Sequence, residues 1–185
     1  MDLTIAICTR NREEDLARCA ASIAASRITE PSLQAEVLVV DDGDLCPKLR
    51  AEMNEGLERA GFSFRYYRKD QPGLWLSRVK TVEISAGDII LFLDDDVELP
   101  EDYIDNLMKT YRENPDAAGV GGIALGMRNS LMGTLRCLLS FQQSPFMGRL
   151  SLSGQSGSMY NWHKARRTFK SEFLHGCNMS FRQEA

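Results

Sequence analysis

The sequence predicts an α/β fold, a Rossmann-like, mostly parallel sheet with helices on both faces. Three observations predict it. Short apolar runs (Leu3–Cys8, Val37–Val40, Ile89–Leu93) alternate with longer stretches whose apolar residues recur at helical spacing. Unbroken apolar runs fit strands buried from both sides, as parallel strands are. The same runs end in polar groups: Thr9-Arg10-Asn11-Arg12, Asp41-Asp42-Gly43-Asp44 and Asp94-Asp95-Asp96. In open α/β sheets, ligands gather outside the carboxyl ends of the strands.

The elements follow in order. Leu3–Cys8 reads as the first strand. Asn11 and Glu14 have the spacing of a capping box, and Leu16, Cys19, Ala20 and Ile23 form the apolar face of the helix it opens. Val37–Val40 is the second strand. A helix follows with Leu45, Leu49, Met53 and Leu57 on one stripe and Gly61 as its stop. Phe64–Tyr67 alternates as a third strand, and Gln71-Pro72-Gly73 marks a turn. Leu74–Ala86 reads as a helix with Val79, Val82 and Ala86 inward, closed by Gly87. After the strand Asp88–Leu93, Pro100 suits the first turn of a helix carrying Ile104, Leu107, Met108 and Tyr111 inward, and Pro115 ends it. Ala117–Ala124 reads as a glycine-bearing strand. Beyond Met127 the pattern changes. Leu131–Phe141 reads as an amphipathic helix and Gly148–Gly157 as a flexible stretch. Residues 1–126 are therefore expected to form the core, and 127–185 an extension of the same domain.

Composition narrows the function classes. A chain of 185 residues, 43% hydrophobic and 26% charged, can bury a real core. No run approaches the ~20 apolar residues of a membrane span, and the early polar turn at Thr9–Arg12 argues against a signal peptide. Five scattered cysteines form no CxxC pair, which points to reduced thiols and a cytoplasmic setting. His175-Gly176-Cys177 lacks the second pair that a zinc site needs. Residues 1–126 carry 14 Lys and Arg against 24 Asp and Glu, whereas residues 127–185 carry 8 against 2. The acidic body argues against nucleic acid. The basic, apolar Leu131–Phe146 segment fits either peripheral contact with the inner face of a membrane or packing against further chain.

Three consecutive carboxylates at a strand end repel one another unless a cation offsets them. Mg²⁺ commonly pairs one or two carboxylates with substrate phosphates. Arg10 and Arg12 can offset phosphate charge, and Arg78 can bring another cation to the cleft. Asp41-Asp42 can accept hydrogen bonds from a nucleobase N–H or a ribose hydroxyl, and is equally read as a cap and turn.

The ordered set resembles family 2 glycosyltransferases, inverting enzymes of GT-A fold. The residues that carry the likeness are Ile5–Arg12, Val39–Gly43, Arg78 before Ala86–Ile90, Phe92–Asp96 and Gly176–Arg182. The resemblance implies a nucleotide-diphospho-sugar donor of UDP or dTDP type and a glycan or lipid-linked acceptor. It implies a donor site of Thr9, Arg10, Arg12, Asp41, Asp42, Arg78, Asp94 and Asp95. Asp94–Asp96 matches the family's DxD motif, with Asp96 and Asp94 as ligands of Mg²⁺ or Mn²⁺. Val79 stands where many relatives carry Asn. The family's general base is expected beyond Ala185, so the catalytic residue stays unassigned and the chain is expected to bind donor rather than transfer sugar. A non-catalytic binding protein, a nucleotidyltransferase and a receiver-type signalling domain are the alternatives. The second lacks its glycine-rich phosphate loop here. The third would open with the Val37–Asp42 strand, which here is preceded by another strand and helix.

Overall fold

A computed structural model describes residues 2–123, 132, 135–136, 139–141, 148–151, 153–154 and 168–184. The chain divides into two compact units, Met1–Val120 with Gly176–Ala185, and Gly121–His175. In the first unit the elements run β1 (Leu3–Thr9), α1 (Glu13–Ala24), β2 (Ala35–Asp41), α2 (Pro47–Arg59), β3 (Ser63–Arg68), α3 (Leu74–Ile84), β4 (Ile89–Asp94), α4 (Tyr103–Glu113), β5 (Gly119–Gly121) and β6 (Asn178–Arg182). They form one six-stranded sheet of order β3-β2-β1-β4-β6-β5. Strands β1–β4 pair in parallel, and β6 joins β4 antiparallel. The predicted fold class is the one observed.

Alternation along the strands sorts side chains onto two faces. Ile5, Ile7, Val37, Val39, Leu91 and Leu93 face the larger core. There they meet Leu16, Cys19 and Ile23 of α1, Met53 and Leu57 of α2, and Ile104, Leu107, Met108 and Tyr111 of α4. Ala6, Ile90 and Phe92 face the other way, with Met179 of β6. The main core buries these side chains almost completely, and each such burial contributes about 1.5–3 kcal/mol.

Several expectations are corrected. The capping box does not form: Arg12 is the N-cap of α1 and no side chain caps it. Asn11 instead adopts φ 56°, which turns the chain between β1 and α1. Leu45 is buried but precedes α2, which opens on Pro47. Pro100 lies outside α4, and its carbonyl accepts from the Tyr103 N–H to lead the chain into that helix. The β5 strand is only three residues long, and Ala124 lies outside the described residues. The largest correction concerns α3. It ends at Ile84, short of Ala86, and buries Ser77 and Thr81 while leaving Val79 and Val82 exposed. Gly87 serves another purpose than closing that helix: a Cβ there would lie 2.5 Å from the Thr4 backbone N, so only glycine permits this approach of chain to strand. Of the expected Leu131–Phe141 helix, Met132, Leu135, Arg136 and Leu139 are helical and Ser140 and Phe141 form a turn; its other residues, and residues 152 and 155–157 of the expected flexible stretch, lie outside the described residues.

Candidate functional site

Strand order places the site. From β1 the chain moves outward through β2 and β3, then returns to β4 on the other side of β1. The carboxyl ends of β1 and β4 therefore flank the topological switch, where a crevice opens in such sheets. Register sets Cys8 opposite Asp94 and Thr9 opposite Asp41.

The three aspartates after β4 are not equivalent. Asp95 is buried, its side chain only 6% exposed, and it accepts hydrogen bonds from Thr9 Oγ1 at 2.8 Å and Arg12 Nη1 at 2.6 Å. Asp94 and Asp96 reach solvent, with side chains 40% and 50% exposed. A turn closed by the Val97 N–H on the Asp94 carbonyl alternates them out, in, out. Burial raises the pKa of Asp94, with Arg78 opposing it and the neighbouring aspartates adding to it. Burial likewise raises that of Asp95, against the Thr9 hydrogen bond and Arg12. Burial is thus the main resistance to the charged form of Asp94 and Asp95, and a cation at the cluster would offset it.

Two arginines lean on it. Arg12 donates Nη2 to Asp96 at 3.0 Å and also pairs with Asp15. Arg78 stands on α3, donates to the Gly176 carbonyl at 2.8 Å and lies 3.6 Å from Asp94 Oδ1. Arg10 is exposed and makes no side-chain hydrogen bond or ion pair with a described residue.

The Asp41-Asp42 pair is structurally committed. Asp41, 1% exposed, accepts from the Gly43 and Leu45 N–H groups and from Tyr66 Oη. Asp42 accepts from Ser77 Oγ at 2.8 Å and the Gly73 N–H at 2.6 Å, and pairs with Lys69 at 2.8 Å. Burial pushes its pKa up, but Lys69, Gly73 and Ser77 together hold it below the usual value. Asp42 thus pins the amino end of α3 and with it Arg78. A cavity of about 550 Å³ opens between the β1–α1 and β2–α2 loops, lined by Thr9, Asn11, Arg12, Glu13, Asp41 and Asp44. A Cβ on Gly43 would strike Asn11 Oδ1, so glycine lets these two loops meet.

The structure brings together Thr9, Arg12, Arg78 and Asp94–Asp96, sets Asp41-Asp42 beside them, and leaves Arg10 apart. Sequence reasoning missed Lys69, Ser77 and Tyr66, which hold the aspartate pair. The signal for Lys69 and Ser77 was their place on either side of the Gln71-Pro72-Gly73 turn, after a strand that pairs with β2.

Among the described residues no group of three or more His, Cys, Asp and Glu side chains is arranged to hold a metal ion. Two exposed carboxylates suffice where substrate phosphates complete the shell, so hard oxygen donors at Asp94 and Asp96 fit Mg²⁺ or Mn²⁺.

The sequence model of Glycosyl transferase family 2 matches residues 4–185. The chain belongs to glycosyl transferase family 2. A glucosyl-dolichyl phosphate glucuronosyltransferase of Haloferax volcanii is 29% identical over 131 residues, covering 66% of this chain and 38% of the relative. The succinoglycan biosynthesis protein ExoM of Rhizobium meliloti is 31% identical over 124 residues, covering 66% and 39%. This family 2 chain thus spans under two-fifths of the length of the curated relatives it matches. In structure it is similar to a mannosyltransferase of Pyrobaculum calidifontis solved with GDP-Man and Mn²⁺, at TM-score 0.60 and 14% identity, covering 98% of this chain and 44% of that one. It is also similar to S. aureus TarS 1-349 solved with UDP-GlcNAc, at TM-score 0.52 and 18% identity, covering 64% and 33%. These likenesses show the GT-A fold.

Proposed function

We propose that this chain forms the donor side of an inverting glycosyltransferase that takes a sugar from a nucleoside-diphosphate carrier. The observation that carries the reading is the asymmetry of Asp94–Asp96 at the β1/β4 switch, two exposed carboxylates around a buried one that Thr9 and Arg12 hold. Asp96 and Asp94 would hold Mg²⁺ or Mn²⁺, with Asp96 the direct ligand. That ion, when bound, offsets charge on the diphosphate and eases its departure.

The chain's own residues would do the rest. Arg78, fixed by the Gly176 carbonyl, presents its guanidinium beside Asp94 for the diphosphate. Thr9 orients Asp95, and Asp95 orients Arg12. A carboxylate has about four acceptor positions. Asp42 spends three on Lys69, Ser77 and Gly73, and although its side chain is only 7% exposed, the fourth would serve a nucleobase N–H or ribose hydroxyl. Asp41 is too deeply buried for direct contact and shapes the wall behind it. The donor is of UDP or dTDP type and the acceptor a glycan or lipid-linked hydroxyl. The base that activates this hydroxyl is assigned to no residue of this chain.

Calorimetric titration with UDP, dTDP and GDP in Mn²⁺ tests the reading. Binding of a nucleoside diphosphate that falls about tenfold or more in Asp96→Asn, with the melting temperature unchanged, supports it. Equal binding by Asp96→Asn and wild type contradicts it. Rapid sugar transfer by the 185-residue chain alone would contradict a donor-only role.

A further inference from the structure

Arg12 occupies the place where a cation would act. Its guanidinium serves three carboxylates: Nη1 lies 2.6 Å from Asp95, Nη2 3.0 Å from Asp96, and Nη2 2.9 Å from Asp15. The three contacts differ in firmness. Asp95 is buried and also holds Thr9, and Asp15 is braced from its far side by Arg18. Asp96 is half exposed, and its carboxylate has no other ion-pair or hydrogen-bond partner among the described residues. Arg12 is therefore anchored on Asp95 and Asp15, and its hold on Asp96 is the one it can release.

Charge explains when it would release. Asp94, Asp95 and Asp96 with Arg12 and Arg78 carry a formal charge of −1. A divalent cation alone reverses that charge to +1, and a diphosphate diester with two negative charges alone deepens it to −3. Both together return it to −1, the charge of the site before either binds.

We infer that Arg12 is an internal counter-ion that keeps Asp96 from binding a divalent cation until a nucleoside diphosphate arrives. On arrival, Asp96 exchanges the guanidinium for the metal, and the freed Nη2 hydrogen turns to a diphosphate oxygen. Arg12 is thus a positioning residue that couples metal and donor binding. The inference rests on the donor-site reading above, and adds that the metal is held well only with the nucleotide.

Mn²⁺ binding followed by electron paramagnetic resonance on the full chain tests it, with and without a UDP-sugar or GDP-sugar, the diesters that carry two negative charges. In Arg12→Gln, Mn²⁺ alone should bind about five- to tenfold more tightly than in wild type, because one opposing charge at contact distance is gone. The gain in Mn²⁺ affinity on adding nucleotide should be large in wild type and small in the variant, while Arg12→Lys keeps the wild-type pattern. Unchanged or weaker Mn²⁺ binding by Arg12→Gln overturns the inference and leaves the donor site standing. Absence of Mn²⁺ binding in both proteins, with and without nucleotide, overturns both. A melting curve for each variant confirms that the fold is kept.

Discussion

Asp42 and Lys69 show how a single ion pair sets the geometry of the whole cleft. Both side chains are under 10% exposed, and the carboxylate also receives Ser77 and the Gly73 N–H. Removing one partner of a buried pair leaves the other charge uncompensated, which costs more than the pair itself contributes. Lys69→Met should therefore lower stability by about 2–4 kcal/mol, read by urea denaturation. It should also weaken nucleotide binding, because Asp42 loses one of the three partners that seat it against the amino end of α3. Stability unchanged within about 0.5 kcal/mol would refute that role. Asp94–Asp96 and Thr9 were legible in the sequence because charge at a strand end has few structural uses. Lys69, Ser77 and Tyr66 were not, because each is an ordinary residue until the register of β2, β3 and α3 brings it to an aspartate.

At the scale of elements, strands β1–β4 were legible and α3 was misread for one physical reason. Its apolar residues Leu74, Trp75, Leu76, Val79 and Val82 are exposed, and the buried residues are Ser77 and Thr81. A side-chain hydrogen bond to another element turns this face inward: Ser77 is held by Asp42, and Thr81, one turn on, satisfies its hydroxyl within the helix on the Ser77 carbonyl. Hydropathy spacing cannot register a helix whose orientation is fixed by a carboxylate on another strand. The amino-terminal edge of the sheet shows a second polar tie. Glu36 on β2 accepts from Thr4 of β1, Arg65 of β3 and the Ala86 N–H. Burial raises its pKa, but those three donors outweigh burial and leave it below the ordinary glutamate value. A depressed folded-state pKa stabilises the protein above the unfolded value of about 4.3 and loses that contribution as pH falls through the folded value. Glu36→Gln should be less stable than wild type by about 1–2 kcal/mol at pH 7, and the gap should narrow below about pH 4. A gap independent of pH between 7 and 3 would show that Glu36 acts by shape alone. Gly87→Ala tests the neighbouring contact: the added Cβ meets the Thr4 backbone, so a loss of about 1–3 kcal/mol is expected in thermal melts, and none if the turn yields freely.

For the whole molecule, the sheet order turns separate sequence motifs into one site. The chain visits β1, β2 and β3 on one side, crosses to β4, and finally brings β6 back against β4 from the far end of the sequence. That return was not legible as a strand, since Gly176–Arg182 read only as a family motif. Its place follows from pairing: Leu93 sits opposite Asn178, and the Cys177 carbonyl accepts from the Asp94 N–H, so the returning segment fixes the first aspartate of the cluster. Tyr103 and Tyr111 of α4 secure β6 through Asn178 and Ser180. The fold class, the switch point and the acidic strand end were thus readable from periodicity and charge, whereas the closing strand and the locks around Asp41-Asp42 needed three dimensions. Asp94 and Asp96 are proposed to hold the divalent cation of the donor site. Crystals grown with Mn²⁺ and UDP, or GDP where it binds better, test it through anomalous scattering at the manganese edge. A single strong peak within coordination distance of Asp96 and the diphosphate, with Asp94 bound directly or through water, is the predicted result. A peak among Glu13, Glu14 and Asp44 instead, or nucleotide bound with no metal at Asp96, would contradict the account.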